Sequence, residues 1–256
     1  MHCIFKLPNG KEVATKEFLF KDVRIFFHEM SLRSRAEILE KFIITPDLNV
    51  VEKLITLIML RARCIKQSVS LNLNNKDKEV GLDYILESFD EVIDIREEKQ
   101  IDNILLTLDY PSRFVVNTDN IFSVIQKIKI DDEEINLTTV TEKEFIQITN
   151  SLPAEVLGVI SNYIEDKQHA LQVTLFPGPD SVVLNFLNES PFHLIESLYN
   201  CIDPYSYREY LFVLSRRMKD VTFLLNSTLI DIEDYMSLYK RENDDEGDSV
   251  AKIDNK

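Results

Sequence analysis

His193 and Glu196 stand three residues apart in Ser190-Pro-Phe-His-Leu-Ile-Glu, which places an imidazole and a carboxylate on one helix face. Zinc sites and general acid–base pairs are built from such pairs. A catalytic zinc, however, takes three protein ligands, and the second histidine of the helical zinc motifs is missing. Cys201 lies eight residues from His193, about 12 Å along a helix, too far for a thiolate partner. Ser190 has the chemistry of a nucleophile, but serine before proline is a helix-start signature, and no G-x-S-x-G turn surrounds it. His2, His28 and His169 are scattered, and the three cysteines, Cys3, Cys64 and Cys201, form no C-x-x-C pair. Acidic groups at 131–134 and 244–248 lack the D-x-D-x-D spacing of a calcium loop and read as solvated charge. The residues therefore predict no catalytic set, no metal and no cofactor.

Composition narrows the partners. Forty-four acidic residues against 29 basic ones give a net charge of -15, which opposes phosphate backbones and anionic lipid, so neither nucleic acid nor membrane is expected as a ligand. Only five glycines occur in 256 residues, each isolated, whereas phosphate-cradling loops need them clustered for close backbone approach. An odd number of distant cysteines fits a reducing compartment. The longest apolar run, Leu54 to Leu60, is too short to span a bilayer, and the apolar start of the chain stops at Leu7, before a signal peptide's length is reached.

The elements that would position these residues follow from punctuation and period. Asn9-Gly10 between HCIFKL and EVAT predicts a β-hairpin, followed by an apolar-rich short helix within 18–30 and another over 33–43. Thr45-Pro46-Asp47 opens a long core helix containing Val51, Leu54, Ile55, Ile58 and Ala62 at helical spacing. SVSLNL alternates as a strand, NNKDK reads as a turn, and 80–89 as a strand end with a helical turn. EVIDIRE and NILLTLDYPSRFVV are strand candidates, 119–128 a short helix capped by Thr118 or Asp119, and Thr141 with Glu144 a capping box. A second helix opens at Ser151, and a hairpin around Pro177-Gly178-Pro179 follows.

From residue 185 three helices are expected, starting at Ser190-Pro191, at Asp203-Pro204 and at Asn226 or Ser227, with apolar stripes that close into a small bundle. The fold class is α+β: an N-terminal β-hairpin with helices over 1–100, mixed short strands and helices from 101, a C-terminal three-helix bundle ending near 240, and a disordered acidic tail at 241–256. A boundary near residue 100 rests on the charged IREEKQID stretch. Tyr199, Tyr207, Tyr210 and Tyr235 lie on the C-terminal helices, a density that suits a protein-binding face as well as a core.

Three patches carry a family resemblance. FKLPNGKEVATKEFLFKDVRIFF resembles the leading L-P-x-G hairpin and following helix of the tail baseplate hub assembly proteins of T4-like bacteriophages; VEKLITLIMLRARCIKQSVSLNL resembles their long helix ending in L-R-A and running into a strand; and residues 185–217 resemble their C-terminal helical segment. Some relatives carry paired cysteines after the long helix, where SVSLNLNNKDK has none, so a metal site does not carry over. The resemblance implies a non-enzymatic role as chaperone, scaffold or minor hub component. Its partners would be phage baseplate hub proteins, met in the host cytoplasm during assembly or in the virion tail baseplate. Two rivals stand beside it: a phage-encoded module that binds a host protein through its acidic surface, and a hydrolase assembled from distant residues such as His193 and Glu196.

Overall fold

The computed structural model describes the chain except for residues 1, 28–29, 74–75, 91, 93, 116–120, 177–180, 201, 219–220 and 240–256. His28, Cys201, the Thr118 or Asp119 cap, the Pro177-Gly178-Pro179 turn and the acidic tail lie outside the described residues.

Two strands and an Asn-Gly turn open the chain. β1 (His2–Lys6) pairs antiparallel with β2 (Glu12–Lys16), and Leu7 N–H donates to Lys11 O across the turn. Gly10 takes φ +84, a conformation that residues with a Cβ rarely adopt. A 3-10 helix (Phe20–Phe27) and α1 (Leu32–Glu40), capped by Ser31, follow. The chain then returns along β2, where Lys16 N–H donates to Phe42 O and Ile44 N–H to Ala14 O.

α2 (Val50–Cys64) is the central helix, and it starts later than Thr45-Pro46-Asp47 suggested. Thr45 is committed elsewhere, its hydroxyl accepting Ala14 N–H at 2.8 Å, and Asp47 sits at φ 55. Asn49 and Glu52 form the capping box instead. Burial of Val50, Val51, Leu54, Ile55, Leu57, Ile58, Leu60 and Cys64 leaves little of the helix to solvent, so other elements surround it.

β3 (Ser68–Leu73) and β4 (Lys76–Gly81) form a hairpin that leads into α3 (Leu82–Glu87). Lys76, Asp77 and Lys78 belong to the strand, where a turn had been expected: pairing such as Asn72 with Asp77 overrides their low strand propensity. Next comes a four-stranded meander, β5 (Glu97–Ile101), β6 (Ile104–Leu108), β7 (Ile125–Ile130) and β8 (Glu133–Asn136). Of the helix expected over 119–128 only one 3-10 turn, Ile121–Val124, forms; IQKIKI is β-branched and finds partners on both sides. β5 starts at Glu97, so most of EVIDIRE precedes the strand. Residue 100 lies inside β5, where Gln100 pairs with Leu105, and a boundary there would cut a sheet.

α4 (Glu142–Asn150) has the Thr141/Glu144 capping box that the sequence predicts, while α5 (Ala154–Asp166) begins after Pro153, later than Ser151. β9 (Gln172–Leu175) and β10 (Val182–Asn185) form the last hairpin. α6 (Ser190–Tyr199), α7 (Pro204–Met218), α8 (Val221–Leu225) and α9 (residues 229–239) complete the described fold. Asp203 caps α7 through Tyr205 and Ser206 N–H. Ser190 is no cap: its hydroxyl accepts Asn185 N–H at 2.8 Å. The third expected helix forms as α9, and Thr228, rather than Asn226 or Ser227, caps it by exchanging bonds with Asp231; Val221, expected on the stripe of the second helix, starts α8 instead.

These C-terminal helices bury their apolar faces on the body as well as on one another. Tyr199 donates its hydroxyl to Leu57 O at 2.7 Å, and its ring meets Phe18 edge-on. Arg61, only 3% exposed, is a buried cation in this acidic chain. Its Nε donates to Leu198 O at 2.6 Å and its Nη1 to Lys66 O and to Ser68 O at 3.0 Å, so it satisfies carbonyls at the end of α6 and in the link from α2 to β3. It is also the arginine of the L-R-A segment. One apolar cluster runs from Cys3 to Met236, through both halves of the chain.

Candidate functional site

Among the described residues, His193, Ser190 and the buried thiols are not brought together into a reacting set. His193 lies between Glu189 (3.4 Å) and Glu196 (3.7 Å) on the surface of α6. Glu196 is paired with Arg35 of α1, so its charge is balanced and the pair ties two helices together. Ser190 is held by the Asn185 backbone, as described, and is not directed at an imidazole. Cys3 and Cys64 are buried free thiols, and burial pushes the Cys64 thiol up to about 12, which keeps it protonated and inert. Among the described residues no three histidine, cysteine or acidic side chains are placed to hold a metal.

A cleft of about 570 Å³ does form, between the β1–β2 turn, the start of α2 and one face of the meander. Glu52 organises one wall: besides capping α2 it accepts from Asn9 Nδ2 at 3.0 Å and from Lys11 Nζ at 3.2 Å, which docks the hairpin tip onto the helix. Asp109, Asp94, Arg96 and Lys127 also line the space. Burial raises the Asp109 carboxyl to about 6; a bond from Tyr110 N–H and the Arg96 charge oppose this, while Asp94 and Glu52 add to it. Sequence reading missed this cleft because its lining comes from separate segments of the chain spread from Leu7 to Thr138.

The Asp109 shift has a testable sign. Its folded value is raised, so the carboxyl contributes stability below about pH 4 that is lost as pH rises to about 6. Asp109→Asn keeps the oxygen that accepts Tyr110 N–H and removes the charge. Chemical unfolding should show the variant more stable than wild type at pH 8, by on the order of 2 kcal/mol, with the difference vanishing at pH 4. Equal stability of the two proteins at both pH values would refute the assignment.

The tyrosines divide between interior and surface. Tyr199 and Tyr207 are buried and cannot present their rings to a partner. Tyr207 stacks on Phe20 at 4.3 Å and meets Phe27 edge-on, which fixes α7 to the 3-10 helix. Tyr210 and Tyr235 are partly buried, near Phe20 and Phe223 respectively. What α7 presents outward is Tyr205, 77% exposed, and Phe212, 57% exposed, with Arg216 placed 4.1 Å over the Phe212 ring. Tyr205, Arg208, Phe212 and Arg216 fall at i, i+3, i+7 and i+11, a second stripe on the helix whose first stripe is the core face. That spacing was available in the sequence.

The family model described as T4 bacteriophage base plate protein matches residues 1–176. The chain belongs to this family. No curated protein and no solved structure matches it. As a base plate protein it has its role in the phage tail baseplate, among other baseplate proteins. The matched region carries the hairpin, α2, the meander and the cleft, while α6 to α9 lie beyond it. Among the described residues of this base plate protein, no helix is long and apolar enough to cross a membrane.

Proposed function

We propose that this base plate protein works without catalysis, as an assembly factor or minor structural component of the tail baseplate hub, and that it engages hub proteins through the outer face of α7. The observation that supports this reading is the exposed pair Tyr205 and Phe212 on a helix fastened from behind by Tyr207. Large rigid aromatics are efficient contact anchors because they cover much area with few rotors, and Arg216 stacked on Phe212 holds one of them in place. Tyr210 and Tyr235 offer only partial surface, and Tyr199 and Tyr207 support the face from inside. A charge of -15 steers the chain toward protein partners and away from nucleic acid.

The test is to tag the chain after residue 239, fractionate lysate of phage-infected host cells by size, and identify co-migrating proteins by mass spectrometry. Co-migration with hub proteins is the expected result. Presence in mature particles then marks a component, and absence marks a factor that acts in the host cytoplasm and departs. Migration alone, or with a host protein only, overturns the reading.

A further inference from the structure

The β1–β2 hairpin is covered on one edge and open on the other. Leu7 N–H donates to Lys11 O, which with the register Lys6↔Glu12 makes Phe5/Val13 and Cys3/Thr15 the hydrogen-bonded pairs. The backbone groups of His2, Ile4 and Lys6 on β1, and of Ala14 and Lys16 on β2, therefore point away from the hairpin. On β2 they are taken up by residues 42–45: Ala14 N–H goes to the Thr45 hydroxyl, Ala14 O to Ile44 N–H, and Lys16 N–H to Phe42 O. On β1 the outward groups of His2, Ile4 and Lys6 have no hydrogen-bond partner among the described residues.

Natural edge strands are usually blunted by charge, proline or a bulge. This one carries Ile4, 72% exposed, at its centre, with regular pairing and no proline. The same face presents Lys6 and Lys16 against the single acid Glu12, a locally basic strip on a chain of net charge -15. An edge with unpaired amides, one apolar side chain and two lysines on its face is complementary to an extended acidic segment.

We propose that β1 is a strand-addition site that takes an extended acidic segment of a partner baseplate protein, with an apolar residue against Ile4 and an acidic residue two positions away, facing Lys6. Main-chain bonds to Ile4 and Lys6 supply the attachment, and the alternating side chains select the segment. The inference rests on the baseplate assembly reading and adds a second contact, on the family-matched part of the chain and separate from α7.

Two variants separate the edge from the fold. Ile4→Pro removes an outward N–H that the hairpin does not use, and Ile4→Val keeps that N–H and an apolar, β-branched side chain. In infected-cell lysate, tagged Ile4→Val should co-migrate with baseplate proteins as the wild type does, and Ile4→Pro at least about tenfold less, with both melting within about 3 °C of wild type. If Ile4→Pro fails to fold, amide exchange in the isolated wild-type complex decides: the Ile4 and Lys6 amides should exchange at least about a hundredfold more slowly there than in the free chain. Unchanged exchange, equal co-migration of wild type and Ile4→Pro, or protection that appears in the concentrated free chain and so marks a second copy as the occupant, each overturns the proposal. Should the wild-type chain itself migrate alone, the baseplate reading falls, and the edge proposal with it.

Discussion

Arg61→Leu should lower the unfolding free energy by about 3 kcal/mol or more, read as a shift of the urea midpoint at unchanged slope. Replacing a buried ion by an apolar side chain is often neutral when its partner is removed as well. That route is only partly open here, because the partners include the backbone carbonyls of Leu198, Lys66 and Ser68, which no side-chain substitution deletes, and the Arg61 charge also favours the half-buried Glu233 carboxylate. Each left unsatisfied costs about 1 to 3 kcal/mol, while the gain from burying leucine in place of guanidinium is partial, since leucine cannot reach all three sites. Arg61→Lys should recover little, as one ammonium cannot reproduce the fork that serves two chain segments at once. A loss below about 1 kcal/mol for Arg61→Leu would show that the carbonyls find water or other donors.

The second large effect is on assembly, with stability spared. Tyr205→Ser combined with Phe212→Ser removes two exposed rings, so urea unfolding should change by no more than about 0.5 kcal/mol. Contact anchors of this kind are each worth about 2 kcal/mol, and losing both should weaken hub binding by about a thousandfold, seen as loss of baseplate proteins from the co-migrating fraction. Arg216→Gln alone should have a smaller effect, because the stacked cation contributes on the order of 0.5 to 1 kcal/mol. Unchanged co-migration of the double variant would remove α7 as the contact face.

Where local chemistry decides, the sequence was readable. Asn9-Gly10 demands its turn, Thr141 with Glu144 its capping box, and Asp203 its helix start, and each stands where the residues place it. Reading failed where distant segments intervene. Residues 125–130 look helix-compatible alone, but two strands pair with them; Thr45 looks like a cap but is used by Ala14. The tyrosines show a further limit. Periodicity puts Tyr207 and Leu214 on one stripe of α7 and Tyr205 and Phe212 on another, yet it does not say which stripe faces Phe20. Nor does anything near Leu60-Arg61-Ala62 announce that Arg61 will reach the end of α6, or that Glu52 and Asp109 will face one cleft.

The bonds that join α6 to α2 also set an order of events during synthesis. Arg61 to Leu198 spans 137 residues and Tyr199 to Leu57 spans 142, whereas the hairpin, its Glu52 clamp and the meander close over much shorter separations. As the chain leaves the ribosome, the first 176 residues can therefore arrange themselves while the flank of α2 that bears Leu57 and Arg61 waits uncovered. Completion of this fold is a late, C-terminal act, and a nascent or truncated chain that stops short of α6 displays an apolar stripe and an Arg61 that lacks its Leu198 acceptor.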